Sequence, residues 1–220
     1  MLVKTYCAAV NGLDVTTVTI EVSLTKGVMF RMTGLGDTAV REGRDRMAAA
    51  LVNNGYLFPN ADITVNMAPA DLRKEGSGFD LPLAIGVLAA SKQIEPVGLD
   101  RIMLVGELGL DGALQPVKGA LPIAMRAKAD GFVALVVPQQ NVREAAVVEG
   151  IRVYGMSQMK EVISMITGQE RFQPVSVDTR KEFYDQQYST ELDYADVRGQ
   201  QQVKRALEVA AAGGHNLIMV

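Results

Sequence analysis

RKEGSGFDLPLAIGVLAASKQ, residues Arg73 to Gln93, runs from a charged glycine turn straight into a long apolar segment. Gly76, Ser77 and Gly78 leave the backbone free to turn sharply, Asp80 is placed to cap the amides of a new helix, and Pro82 is tolerated in a first turn. Leu81 to Ala90 then read as a buried helix. Such a turn can cradle an anion, present a nucleophilic serine at a helix N-terminus, or merely cap a core helix. Spacing alone leaves these readings open. What surrounds the stretch sets the fold: mostly strand before it, strand and helix in alternation after it.

Upstream, residues 2–10 read as a strand, Asn11-Gly12 supply turn chemistry, and Val18, Ile20, Val22 and Leu24 alternate with polar residues as in a half-buried strand. Val28 to Met32 form a further short strand. Gly34-Leu35-Gly36-Asp37 then break the chain before a helix predicted over Thr38 to Asn53, with Val40, Met47 and Leu51 inward. Arg41, Glu42, Arg44, Asp45 and Arg46 lie on its other face, with Glu42 and Arg46 spaced for a helical ion pair. The arginines suit phosphate contact, but the interleaved acids suit an ordinary solvated surface. Ile63 to Met67 is a strand that delivers the chain through Pro69 to the glycine turn.

Downstream, Ile102–Glu107 and Ala113–Val117 read as a hairpin around Gly109-Leu110-Asp111-Gly112. A helix follows over Gly119 to Ala129, then a strand (Phe132–Val137), a helix (Val142–Val148), a strand (Ile151–Tyr154) and a helical face of Met159, Val162, Ile163 and Ile166. Alternation of this kind means an α/β domain, expected over residues 1–167. Residues 168–192 are rich in Gln, Asp, Glu, Lys and Arg and read as a linker carrying Tyr184 and Tyr188, with Tyr194 just beyond it. A different segment, 193–220, then combines a helix bearing Val203, Ala206, Leu207 and Ala210 with a buried strand expected from Asn216. An apolar strand broken off there implies a fragment of a longer protein.

The totals exclude several classes. A net charge of −3 and a pI near 5.3 leave no whole-surface basic footprint for nucleic acid, although a local patch stays open. Cys7 and His215 are the only residues of their types, so neither a disulfide framework nor a Cys/His zinc cluster can be built from this chain, and no metal site is expected. A lone histidine between a glycine pair and a strand reads as positional. No signal peptide or membrane span is visible, so a cytoplasmic protein without membrane contact is expected.

Four motifs in order, DTAVREGRDRMAAALVNNGYLFP, ITVNMAPADLRKEGSGFDLPLAIGVLA, VGELGLDGALQPVKGALP and DYADVRGQQQVKRALEVAAAGGHNLIMV, resemble the N-terminal part of the bacterial magnesium-chelatase-like AAA+ ATPases of the YifB/ComM family. The likeness covers nearly the whole chain and is thinnest in the linker. It implies a first domain like the proteolytic domain of Lon and the C-terminal domain of RadA, with a ribosomal-protein-S5-domain-2-like α/β (α+β) fold. It also implies that residues 193–220 begin an AAA+ motor. The whole protein would then bind and hydrolyse ATP with Mg2+ as a self-assembled hexameric ring, acting on DNA in branch migration during recombination and competence.

The resemblance places Val197, Gly199 and Gln200 where such motors pass adenine. A phosphate-binding loop should follow Val220, and no G-x-x-x-x-G-K-[ST] occurs within these 220 residues, so no cofactor is expected on this fragment. Arg73 and Lys74 of the charged turn, with Arg41 and Arg44, are candidate contacts for DNA or a neighbouring subunit.

Lon-type proteases pair a serine after a glycine turn with a desolvated lysine on a later helix. Matching onward from Lys74-Glu75-Gly76 puts Gly78, not Ser77, at the Lon serine position. Matching back from Val136-Val137-Pro138 puts Leu121 at the lysine position, with Lys118 a little upstream. Ser77 and Lys118 remain candidates only if both turn and helix shift. The expectation is a non-catalytic assembly or guiding domain. An ATP-dependent Ser/Lys protease and an oligomerisation scaffold of a protein-remodelling motor are the alternatives.

Overall fold

Alternating apolar residues in the first forty positions commit the chain to strands before any helix can form. A computed structural model of the chain describes residues 1–12, 14–34, 38–72, 74, 76–178 and 194–219, with the side chains of all of these except residues 38–41. Two compact units are present, Met1–Val177 and Asp178–Val220.

The first unit is a seven-stranded sheet flanked by helices. Its strands are β1 (Leu2–Asn11), β2 (Asp14–Thr25), β3 (Phe30–Thr33), β4 (Asp62–Ala68), β5 (Ile102–Leu104), β8 (Ala134–Pro138) and β9 (Arg152–Met156), in the order β3-β4-β2-β1-β5-β8-β9. Only β2 runs against its neighbours. It pairs antiparallel with β1 and β4, whereas the β3/β4, β1/β5, β5/β8 and β8/β9 pairs are parallel. The chain is therefore mixed α/β with a mostly parallel central sheet. Parallel neighbours need helical crossovers, which are α1 (Thr38–Asn53), α2 (Asp80–Ala90), α3 (Ala120–Ala129) and α4 (Val142–Ala145), with α5 (Met159–Ile166) after the last strand.

Helix α2 is the centre of the core. All eleven of its residues are buried, because β1 and β2 lie on one side and α1 on the other. Such burial explains why its sequence shows no polar face. One hydroxyl joins helix to sheet: Thr5 Oγ1 donates to the Pro82 carbonyl at 3.0 Å, while Gly86 leaves no room for a side chain against Val22. On the opposite face of β1, Tyr6 meets Phe132, with ring centroids 5.2 Å apart. Odd-numbered residues of β1 thus face α2, and even-numbered residues face the α3 side.

Three expected elements differ. The stretch Ile102–Glu107 divides: β5 enters the main sheet, and only β6 (Glu107–Leu108) pairs with β7 (Leu114–Gln115) in the hairpin. Val105 and Gly106 cause the split, since their amides go to Val136 O and Gly78 O. Residues 168–177 were read as linker, yet Val175 N donates to Val153 O at 2.8 Å and Phe172, Val175 and Val177 lie against the core. Tyr184 and Tyr188 lie outside the described residues. In the second unit, a short turn of helix (Tyr194–Asp196) and α6 (Gln201–Gly213) are present, but Asn216–Met219 is not a strand. No strand exists there for it to pair with among the described residues, and a lone strand leaves its amides unbonded.

Replacing Leu83, fully buried in α2, by Ala should cost about 2–5 kcal/mol of stability, read as a lowered urea midpoint with unchanged slope.

Candidate functional site: a crevice at the ends of β1 and β5

β1 pairs with β5 at Tyr6↔Met103 alone, after which β5 turns away toward β8. The divergence opens a crevice of about 780 Å3 beyond the C-terminal ends of the two strands. In open α/β sheets this is where ligands bind, because chain connections leave to opposite faces there. Gly76, Ser77, Gly78 and Phe79 form one wall, Pro116 to Gly119 with Pro122 and Ile123 another, and Ala8, Val10, Val105 and Glu107 the floor and side. Both sequence candidates, Ser77 and Lys118, therefore line the same crevice.

They are not joined as a dyad. The Ser77 hydroxyl donates to the Glu107 carboxylate, and no hydrogen bond or ion pair to Lys118 is present among the described residues. Gly78 also faces the crevice, and a Cβ there would lie 3.5 Å from Val105 and 3.6 Å from Val117, which is ordinary contact. Leu121 sends its amide to Glu144 Oε1 at 3.0 Å, so the first turn of α3 is capped from within the fold. Backbone bonds hold the glycine turn: Gly106 N donates to Gly78 O, and Leu81 N to Gly106 O, both at 3.0 Å. Cys7, whose thiol burial pushes up to about 12, points its Sγ at the Gly78 carbonyl from 3.5 Å and is no nucleophile.

Asp80 departs furthest from its sequence reading. The residue before α2 is Phe79, with no side-chain cap, and the Asp80 carboxylate turns inward. It accepts Arg46 Nε at 2.7 Å on Oδ2 and Arg46 Nη2 at 3.1 Å on Oδ1, and Leu108 N donates to Oδ2 at 3.3 Å. Arg46 was read as part of a solvated face; instead it forms a two-pronged bond that ties α1 to α2 and to the hairpin. The Asp80 side chain is 0% exposed and the Arg46 side chain 23%, so desolvation falls mainly on the acid. Burial accordingly pushes the Asp80 carboxyl up, against the opposing pull of Arg46 and the Leu108 amide. The hydrogen bond from Arg46 to Asp80 raises the guanidinium in turn. A sequence signal for this pair did exist: Gly43 stands inside α1, where a Cβ would sit 2.3 Å from Asp80 Oδ1.

Of the proposed nucleic-acid contacts, Lys74 and Arg44 have described side chains. Lys74 is fully buried, its ammonium donating to the Pro69 carbonyl, and is not a rim residue. Arg44 is exposed and stacks over the Phe30 ring at 5.4 Å. Arg73 and the side chain of Arg41 lie outside the described residues. In the second unit, Gly199 and Gln200 both adopt left-handed backbone, and the Val197 carbonyl accepts the Lys204 ammonium. His215 ends α6 with its amide on Ala210 O at 2.8 Å, a positional role. Among the described residues no cluster of three or more His, Cys, Asp or Glu is placed to hold a metal ion, and no helix is long and apolar enough to cross a membrane.

Arg46→Met should leave a buried carboxylate unpaired and cost about 3–5 kcal/mol, whereas pairing it with Asp80→Leu should recover much of the loss. The pH sign follows from the raised carboxyl. The folded state holds a proton that the unfolded chain has already lost, so unfolding free energy falls as pH rises from the ordinary carboxylate range. Arg46→Met should steepen that fall, giving a urea midpoint higher at pH 5 than at pH 8. An unchanged midpoint across that range would contradict the assignment.

A family model described as subunit ChlI of Mg-chelatase matches residues 20–141, and one described as magnesium chelatase, subunit ChlI, matches residues 193–220. The chain is 40% identical over 216 residues to the uncharacterized protein YifB of Escherichia coli K12, covering 96% of this chain and 41% of that protein. It is 39% identical over 216 residues to competence protein ComM of Haemophilus influenzae, covering 98% and 42%. A fainter likeness, 26% over 107 residues, joins it to Lon protease 2 of Bacillus subtilis, covering 48% of this chain and 19% of that one. The chain thus spans about two fifths of the YifB and ComM relatives it matches. With over half its length under the first model, the chain belongs to the magnesium chelatase ChlI family, in the YifB/ComM branch.

Proposed function

We propose that Met1–Val177 is a non-catalytic assembly and substrate-guiding domain of a magnesium-chelatase-like AAA+ ATPase. The carrying observation is the engagement of the Ser77 hydroxyl by Glu107 and not by a lysine, with Gly78 and Leu121 standing where Lon has its serine and lysine. A carboxylate is far too weak a base to hold a serine as its alkoxide. The fainter likeness to a Lon protease supports a Lon-like, S5-domain-2-like ancestry for this fold. In this reading the glycine turn is a catalytic loop reused as the entrance to a core helix.

Residues 193–220 begin the motor, whose phosphate-binding loop would come from chain beyond Val220. The whole protein would work in the cytoplasm as a hexameric ring, with ATP and Mg2+ as cofactors. By likeness to a protein named for competence, its substrate would be DNA undergoing branch migration in recombination. Purified wild type and Ser77→Ala should be equally inert toward casein and fluorogenic peptides; serine-dependent cleavage would favour the Lon-type alternative. The longer protein should bind four-way DNA with an affinity that falls steeply with salt and responds to ATP. Absence of binding at low salt would remove the DNA reading.

A further inference from the structure

We propose that the crevice beyond β1 and β5 holds the carboxyl terminus of an extended polypeptide and leaves it uncut. This rests on the reading of the crevice as non-hydrolytic.

Lys118 is the first argument. It is exposed at the crevice wall and makes no hydrogen bond or ion pair among the described residues. Its backbone is nevertheless fixed. Asn141 bonds both the N–H and the carbonyl of Val117, at 2.9 and 2.8 Å, and Gly119 takes a left-handed conformation at φ 78° to start α3. A lysine on a pinned segment facing a cleft is a placed charge, matched by one carboxylate.

Glu107 is the second argument, because it selects against polyanions. With its carboxylate in the same crevice, a polyphosphate or nucleic-acid strand would meet a like charge. A peptide instead offers backbone N–H groups, for which Glu107 and the Ser77 oxygen are acceptors. The third argument is shape. Val10, Val117, Pro122 and Ile123 supply apolar wall for small side chains, and no described strand lies beside residues 8–11 of β1 on the β5 side. That edge can add the ligand's backbone as a strand. A polypeptide end satisfies the ammonium, the acceptors and the edge together.

The test uses the 220-residue chain and two fluorescein-labelled hexapeptide pools, randomised over Ala, Val, Leu and Phe and differing only in a C-terminal carboxylate or carboxamide. Titrated by fluorescence anisotropy at low salt, the free-acid pool should bind about fivefold tighter, the worth of one partly solvated ion pair. Lys118→Ala, an exposed change, should erase that preference while leaving the circular dichroism unchanged. Glu107→Gln should weaken both pools. No anisotropy change with either pool, equal binding of both, or a preference that survives Lys118→Ala would overturn the proposal. Mass spectrometry of recovered peptide separates the two readings: cut peptide overturns the non-hydrolytic reading, whereas intact but unbound peptide overturns this inference alone.

Discussion

One buried carboxylate holds the upper end of this fold together. Asp80 sits at the first turn of α2, where the helix dipole favours an anion, and its oxygens gather Arg46 from α1 and the Leu108 amide from the hairpin. Without the guanidinium the acid would be a desolvated charge at the head of the core helix. With it, three chain segments distant in sequence are set in mutual register. Gly43 is the geometric price, since any side chain there would collide with the carboxylate.

That clamp determines what the crevice can be. The turn of Gly76 to Phe79 leads into Asp80, and Gly106 is bonded on both sides to the segment Gly78–Leu81, so that wall of the crevice is held to the hairpin strand. Ser77 is consequently presented to Glu107, whose neighbour Leu108 is fixed by Asp80. The resulting arrangement has a serine, a carboxylate and an ammonium in one cleft, and among the described residues the hydroxyl is engaged by the carboxylate and not by the ammonium.

Much of the architecture was legible because it depends on local patterning. Alternation defined β1, β2 and β4, the helical period and its breakers bounded α1 at Thr38 and Asn53, and the unbroken apolar run marked α2 as interior. Errors fell where one segment's fate depended on a distant partner. The Ile102–Glu107 stretch looks like one strand, but its middle is claimed by β8 and the glycine turn. Asn216–Met219 has the composition of a strand and, among the described residues, no strand beside it.

Side-chain roles divide in the same way. The sequence by itself carried the resemblance to the family and the α/β alternation, because these are matters of order and spacing along one chain. Only the tertiary structure decided that Asp80 is a buried acid and not a cap, that Lys74 is interior, and that Ser77 and Lys118 share a crevice without touching. Those outcomes depend on Arg46, Pro69 and Glu107 arriving from elsewhere in the chain, and the energy of burying a charge is settled only when its partner is in place.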